Sequence, residues 1–132
     1  MSGHTVIDVR LNSAAAVTAL VGARIYPDVM PAPAVYPAVT FQKLSGTSAR
    51  GSTADPPLKS ATFQVTAWAK SRPDALAISA QIRVALDRMR KVTVGGVAVD
   101  DCFYESDVDL FDFETRTYFT HNTFTLYYRD PL

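Results

Sequence analysis

The segment Lys59–Ala69 sets the tightest limit on how this chain can fold. Ala61, Phe63, Val65 and Ala67 fall on one side of an extended backbone, and Thr62, Gln64, Thr66 and Trp68 on the other. A period of two marks a strand with one face in a core, and a one-residue slip would turn the whole apolar set to solvent. Directly behind it stands Ser71-Arg-Pro-Asp74. Ser71 can cap a helix, Pro73 suits the first turn, and Asp74 takes the capping-box position. The apolar stripe Ala75, Ile78, Ile82, Ala85, Leu86 and Met89 predicts a helix to about Arg90, with Arg83, Arg88, Arg90 and Lys91 in its C-terminal half, where the helix dipole favours cations.

The rest of the chain fits around this strand and helix. Residues 4–21 read as two helices, His4 to Leu11 and Ala14 to Val21, with Asn12-Ser13 as a fresh N-cap between them and Gly22 as a left-handed stop. Arg24 to Pro27 is a short extended piece. Residues 36–45 alternate as a half-buried strand, expected to form a hairpin with 59–69. The Gly, Ser, Thr and Pro-rich stretch between them is expected to be a mobile loop over 46–58. Val92 to Val99 reads as a tight hairpin around Gly95-Gly96. Strands are expected at 101–110 and 116–129, with a turn at 111–115. Together these predict one α+β domain over residues 1–132. Its mostly antiparallel sheet has about four main strands and is packed on one face by helices.

Composition narrows the class of function. With 48% apolar and 20% charged residues in 132, the chain is ordinary globular material. No apolar run is long enough to span a bilayer, and the first ten residues lack the pattern of a secretory leader. The single cysteine, Cys102, forbids an intramolecular disulfide and points to a reducing compartment. Net charge is zero, which argues against nucleic-acid specificity. It is unevenly spread. Residues 1–99 carry 11 Lys/Arg and 5 Asp/Glu, and residues 100–132 carry 2 and 8. Opposite charge in two regions can steer copies of the chain together, or the two regions can neutralise each other within one fold.

Catalytic patterns are sparse. His4, His121 and Cys102 lack zinc-site spacing, and no phosphate-binding loop or G-x-S-x-G elbow is present. The acidic run from Asp100 to Glu114 lacks the calcium-loop pattern. Within it Glu105, Asp107 and Asp109 alternate, which places them on one face of a strand. Cys102 and His121 sit on neighbouring predicted strands, so a small cysteine-dependent hydrolase is one alternative. A monomeric module binding a peptide strand at a sheet edge is another. No metal or cofactor is expected.

One combination of segments is more specific than any of these. Ala19-Leu-Val-Gly-Ala-Arg-Ile-Tyr-Pro27 is followed by Pro37-Ala-Val-Thr-Phe-Gln42, Phe63-Gln-Val-Thr-Ala-Trp-Ala69, an Ala-rich helix, a Leu110-Phe-Asp112 turn and Phe124-Thr-Leu-Tyr-Tyr-Arg129. This resembles the small tail completion or tail terminator proteins of long-tailed bacteriophages, prophages and gene-transfer agents, over nearly all of residues 5–129. The resemblance implies a non-enzymatic α+β subunit that forms a ring, commonly a hexamer, at the head-proximal end of the tail tube. The ring stops tube growth and joins the head connector or head completion protein. It implies assembly in the host bacterial cytoplasm, then a place in the virion. A ring needs one patch to meet a different patch on the next copy. The candidate pair is Arg83, Arg88, Arg90 and Lys91 against Glu105, Asp107 and Asp109. Arg50, within the 46–58 stretch, and Lys59, directly after it, are the candidate contacts to the tube.

Overall fold

The computed structural model describes residues 2–48, 58–87 and 89–129. Three helices and six strands follow the order α1 (Ser2–Ser13), α2 (Ala15–Val21), β1 (Ile25–Pro27), β2 (Ala38–Ser48), β3 (Leu58–Ala69), α3 (Arg72–Leu86), β4 (Val92–Val94), β5 (Val97–Asp112) and β6 (Thr117–Arg129). All six strands form one sheet in the order β1-β2-β3-β6-β5-β4. Only β1 and β2 run parallel. The fold is α+β with six strands rather than four. The two extra strands, β1 and β4, are three-residue additions to the outer sides of β2 and β5, formed by the extended piece at 24–27 and the first arm of the 92–99 hairpin.

The β3 alternation holds throughout. Ala61, Phe63, Val65 and Ala67 are buried beneath the helices, joined there by Val39 and Phe41 of β2 and by Phe124, Leu126 and Tyr128 of β6. The Ser71 hydroxyl accepts the Asp74 amide at 3.3 Å, and Ile78, Ile82 and Leu86 of α3 are buried against β3 and β6. Helix α1 lies beside α3, with Arg10 Nε donating to the Ala85 carbonyl at 2.8 Å. Its first turn comes so close to the sheet that a Cβ on Gly3 would stand 2.9 Å from Phe63 Cζ. Gly95 and Gly96, at φ +58° and +81°, make the β4–β5 turn.

Four boundaries differ from the sequence expectation. Asn12 and Ser13 do not cap α2. Their side chains bond back to the Asp8 and Val9 carbonyls, and Ala14 stands at the N-cap without a side-chain bond. α3 stops at Leu86 because Asp87 turns extended and its carboxylate takes the Tyr104 amide at 3.0 Å. Met89 is still buried, but from beyond the helix, and Arg90 and Lys91 also lie past it. The loop expected over 46–58 is shorter. Gly46, Thr47 and Ser48 pair with Ala61, Ser60 and Lys59, a backbone ladder that needs no apolar side chains. Residues 49–57 lie outside the described residues. Finally, β5 runs unbroken from 97 to 112. Irregularities around Asp100 and Glu105 keep it on β6, and the Asp101 carboxylate takes the Cys102 amide at 2.8 Å.

The packing of α3 gives the first prediction. Ile82→Ala is expected to cost about 2–5 kcal/mol in urea unfolding, and Ile82→Asp more, because a charge would be left unpaired in the core. An Ile82→Asp protein that melts with the wild type would show that α3 is not seated there.

Candidate functional site

The acidic strand and the basic helix meet within one chain. Asp107 and Asp109 pair in register with Asn122 and Thr120 of β6, on the face that α3 covers. Arg83 reaches Asp107 at 3.1 Å and Arg72 reaches Asp109 at 3.6 Å. Each guanidinium also lies over a tyrosine ring, Arg83 over Tyr104 and Arg72 over Tyr118, both at 5.1 Å. The Thr120 hydroxyl donates to Asp109 at 2.8 Å. Arg90 reaches Asp101 at 3.3 Å, and Arg129 reaches Asp100 at 3.3 Å. Arg88 and Arg50 lie outside the described residues. Lys59 of β3 pairs with Ser48 of β2 on one side and Tyr128 of β6 on the other.

Glu105 parts company with the two aspartates. The ladder slips between Tyr104 and Ser106, so the extra residue breaks the alternation. The Glu105 carboxylate accepts the Thr125 hydroxyl at 2.9 Å, on the face away from the helices. The expectation that Glu105, Asp107 and Asp109 share one face is therefore corrected. A bulge is a backbone event that residue spacing does not reveal.

The helix-free face carries an aromatic row. Trp68 stacks on Phe119 at 4.6 Å and donates from Nε1 to the Thr40 hydroxyl at 2.9 Å. Phe119 meets His121 edge-on at 5.1 Å, and Thr66 Oγ1 lies 2.7 Å from His121 Nδ1. Beside them on β5, Val108 and Leu110 are exposed opposite His121 and Phe119. At the β4 end, an open groove of about 370 Å³ is lined by Leu58, Phe103 and Tyr127, with Arg90, Lys91, Asp100 and Asp101 around it. The signal for this row was the polar-face Trp68 and the odd-numbered aromatics of β6.

Cys102 and His121 do not form a catalytic pair. Cys102 pairs with Leu126 and is buried on the helix side, whereas His121 pairs with Val108 on the opposite face. Burial first, and then Asp87 and Asp101, push the Cys102 thiol up to about 12. It stays protonated and a poor nucleophile.

Two expectations follow. Cys102 should resist iodoacetamide at pH 8 in the folded protein and react at once in denaturant; fast labelling of the native state would contradict its burial. Burial also holds the His121 imidazole below its ordinary pKa. As pH falls below about 6.5 the unfolded chain takes up the proton first, so stability declines with falling pH. His121→Gln should flatten that decline between about pH 6.5 and 5, read from urea midpoints. Part of the decline should remain, because His4 is lowered as well, chiefly by burial.

Among curated proteins, none matches the sequence of this chain. Among solved structures, it is similar to a chain described as "Virion of native gene transfer agent (GTA) particle". The TM-score is 0.72 at 16% identity, covering 92% of this chain and 90% of that one. At that identity the likeness is one of fold. The sequence family described as "Tail completion protein gp17" matches residues 6–129. The chain belongs to this tail completion family of bacteriophage tail structural proteins.

Proposed function

We propose that this chain is a non-enzymatic virion subunit that forms a ring, of about six copies, at the head-proximal end of the tail tube. There it ends tube growth and joins the tail to the head connector or head completion protein. The observation that carries this reading is the family match across residues 6–129, nearly the whole of one α+β domain. The likeness in fold to a chain of a gene transfer agent virion supports it. Assembly would take place in the host bacterial cytoplasm, before the finished tail enters the particle.

In this reading the charged groups have two uses. Arg83, Asp107 and Asp109 are engaged within the chain, and they hold β5 in shape for a neighbour. Arg90, Lys91 and Glu105, on the surface, help set register and encounter rate with the next copy, as rim charges do. Arg88 would act with them. Arg50 and Lys59, on either side of residues 51–57, would face the tube.

Particles assembled without this chain are expected to show heads parted from tails and tubes of uncontrolled length. In complemented particles, electron microscopy should find the chain as a ring at the tube end. Joined particles with tails of normal length in its absence would overturn the reading.

A further inference from the structure

Among the described residues, the sheet is left open at two diagonally opposite corners. β1 pairs only with Val39, Thr40 and Phe41, so among the described residues no strand lies outside β2 from 42 to 48. β4 pairs only with Val97, Ala98 and Val99. Beyond it the Lys91 amide reaches the Asp100 carbonyl and Asp87 takes the Tyr104 amide. From 105 to 112 no strand of the described residues lies outside β5, and the Leu110 carbonyl there accepts from Arg72. We propose that the open edge of β5, residues 105–112, pairs with the open edge of β2, residues 42–48, of a second copy. The subunits would then join into one continuous antiparallel sheet. This rests on the ring reading and names the surface that closes the ring.

Strand direction is the first argument. β2, β3, β6 and β5 are successive antiparallel neighbours, so β5 runs opposite to β2. Copies related by rotation about a ring axis lying roughly along the strands keep their strand sense. β5 of one copy therefore meets β2 of the next antiparallel, and the alternation continues without a break. The short strands do not obstruct this. β1 ends at Phe41 and β4 covers only 97–99, so each lies beyond the segment that the other copy would use.

The stagger also suits closure. Ser45 lies level with Thr62 and Thr125, and Val108 lies level with His121, four residues along β6. That is an offset of about 13 Å across a four-strand repeat of roughly 19 Å, or a tilt of about 35°, near the range in which closed sheets sit. Composition agrees. β2 carries Lys43 and no acidic residue, against Glu105, Asp107 and Asp109 on β5. Leu44, Val108 and Leu110 are each 40–52% exposed in the single chain, and all lie in the segments that pairing would bring together. A long edge left open invites pairing with any strand, and a closed ring removes it.

The test is disulfide trapping. Ser45 shares the helix-free face with Ser106, Val108 and Leu110, so Ser45→Cys is combined in turn with Ser106→Cys, Val108→Cys and Leu110→Cys to sample three registers. Cys102, buried, stays in place. Each protein is oxidised mildly, alone and in the presence of tail tubes. At least one double variant is expected to give a ladder of multimers on a non-reducing gel that collapses with reductant, while each single variant stops at dimer. Rings seen by electron microscopy without a ladder from any pair would overturn the edge pairing and leave the ring reading standing. Neither rings nor ladder, alone or on tubes, would overturn both.

Discussion

The pairing of β6 on both sides is the constraint on which the rest of the molecule depends. Along its length it is matched with β3 from Ala69 to Leu58 and with β5 from Asp112 to Ala98. Its register fixes which residues of three strands face the helices, since a one-residue slip would invert them all. Phe124, Leu126 and Tyr128 form the apolar half of the helix-covered face. Thr120 and Asn122 form a polar half under the N-terminal part of α3. Asn122 is fully buried and donates to the Val65 carbonyl at 3.3 Å and to the Ser79 hydroxyl at 3.2 Å. The amide nitrogen is paired while Oδ1 has no hydrogen-bond partner among the described residues, so the burial is only half compensated, and the two bonds that are made tie α3 to the sheet at one register.

Charge is settled along the length of α3, from Arg72 in its first turn to Arg83 in its last. The sequence holds a basic first part and an acidic last part, and folding lays the two against each other. Arg72 and Arg83 stand on the helix, and Asp109 and Asp107 on the strand it crosses. These pairs are partly exposed and each contributes little to stability. Together with the tyrosine rings below them, they hold β5 against α3 along a stretch where, among the described residues, the strand has a neighbour on only one side. In the proposed ring, a strand held in this way reaches the next copy already in its paired shape, which lowers the ordering cost of joining.

Folding also separates features that lie close in sequence logic. Cys102 and His121 belong to adjacent strands, yet the two-residue period sends them to opposite faces. The bulge at Glu105 does the same to a run of acids that looks uniform. Such separations come from parity along a strand, and parity is set by register and bulges. Neither can be read from residue types alone.

The sequence alone determined the local elements: the β3 alternation, the Ser71 cap, the glycine turn at 95–96, the stripe of α3, and a family likeness spread over the whole chain. These are legible because each depends on neighbours within a few residues. Tertiary structure alone decided where α3 ends, since Asp87 leaves the helix to bond the Tyr104 amide, 17 residues away in sequence. It alone decided that β2 continues through Gly46 and Ser48, because backbone pairing with β3 makes a strand of residues with little strand propensity. It also decided that the opposite charges face each other within the chain, and that among the described residues the sheet has no further strand beside 42–48 and 105–112. Those outcomes depend on hydrogen bonds and ion pairs between segments far apart in sequence, whose partners are set only once the sheet has formed.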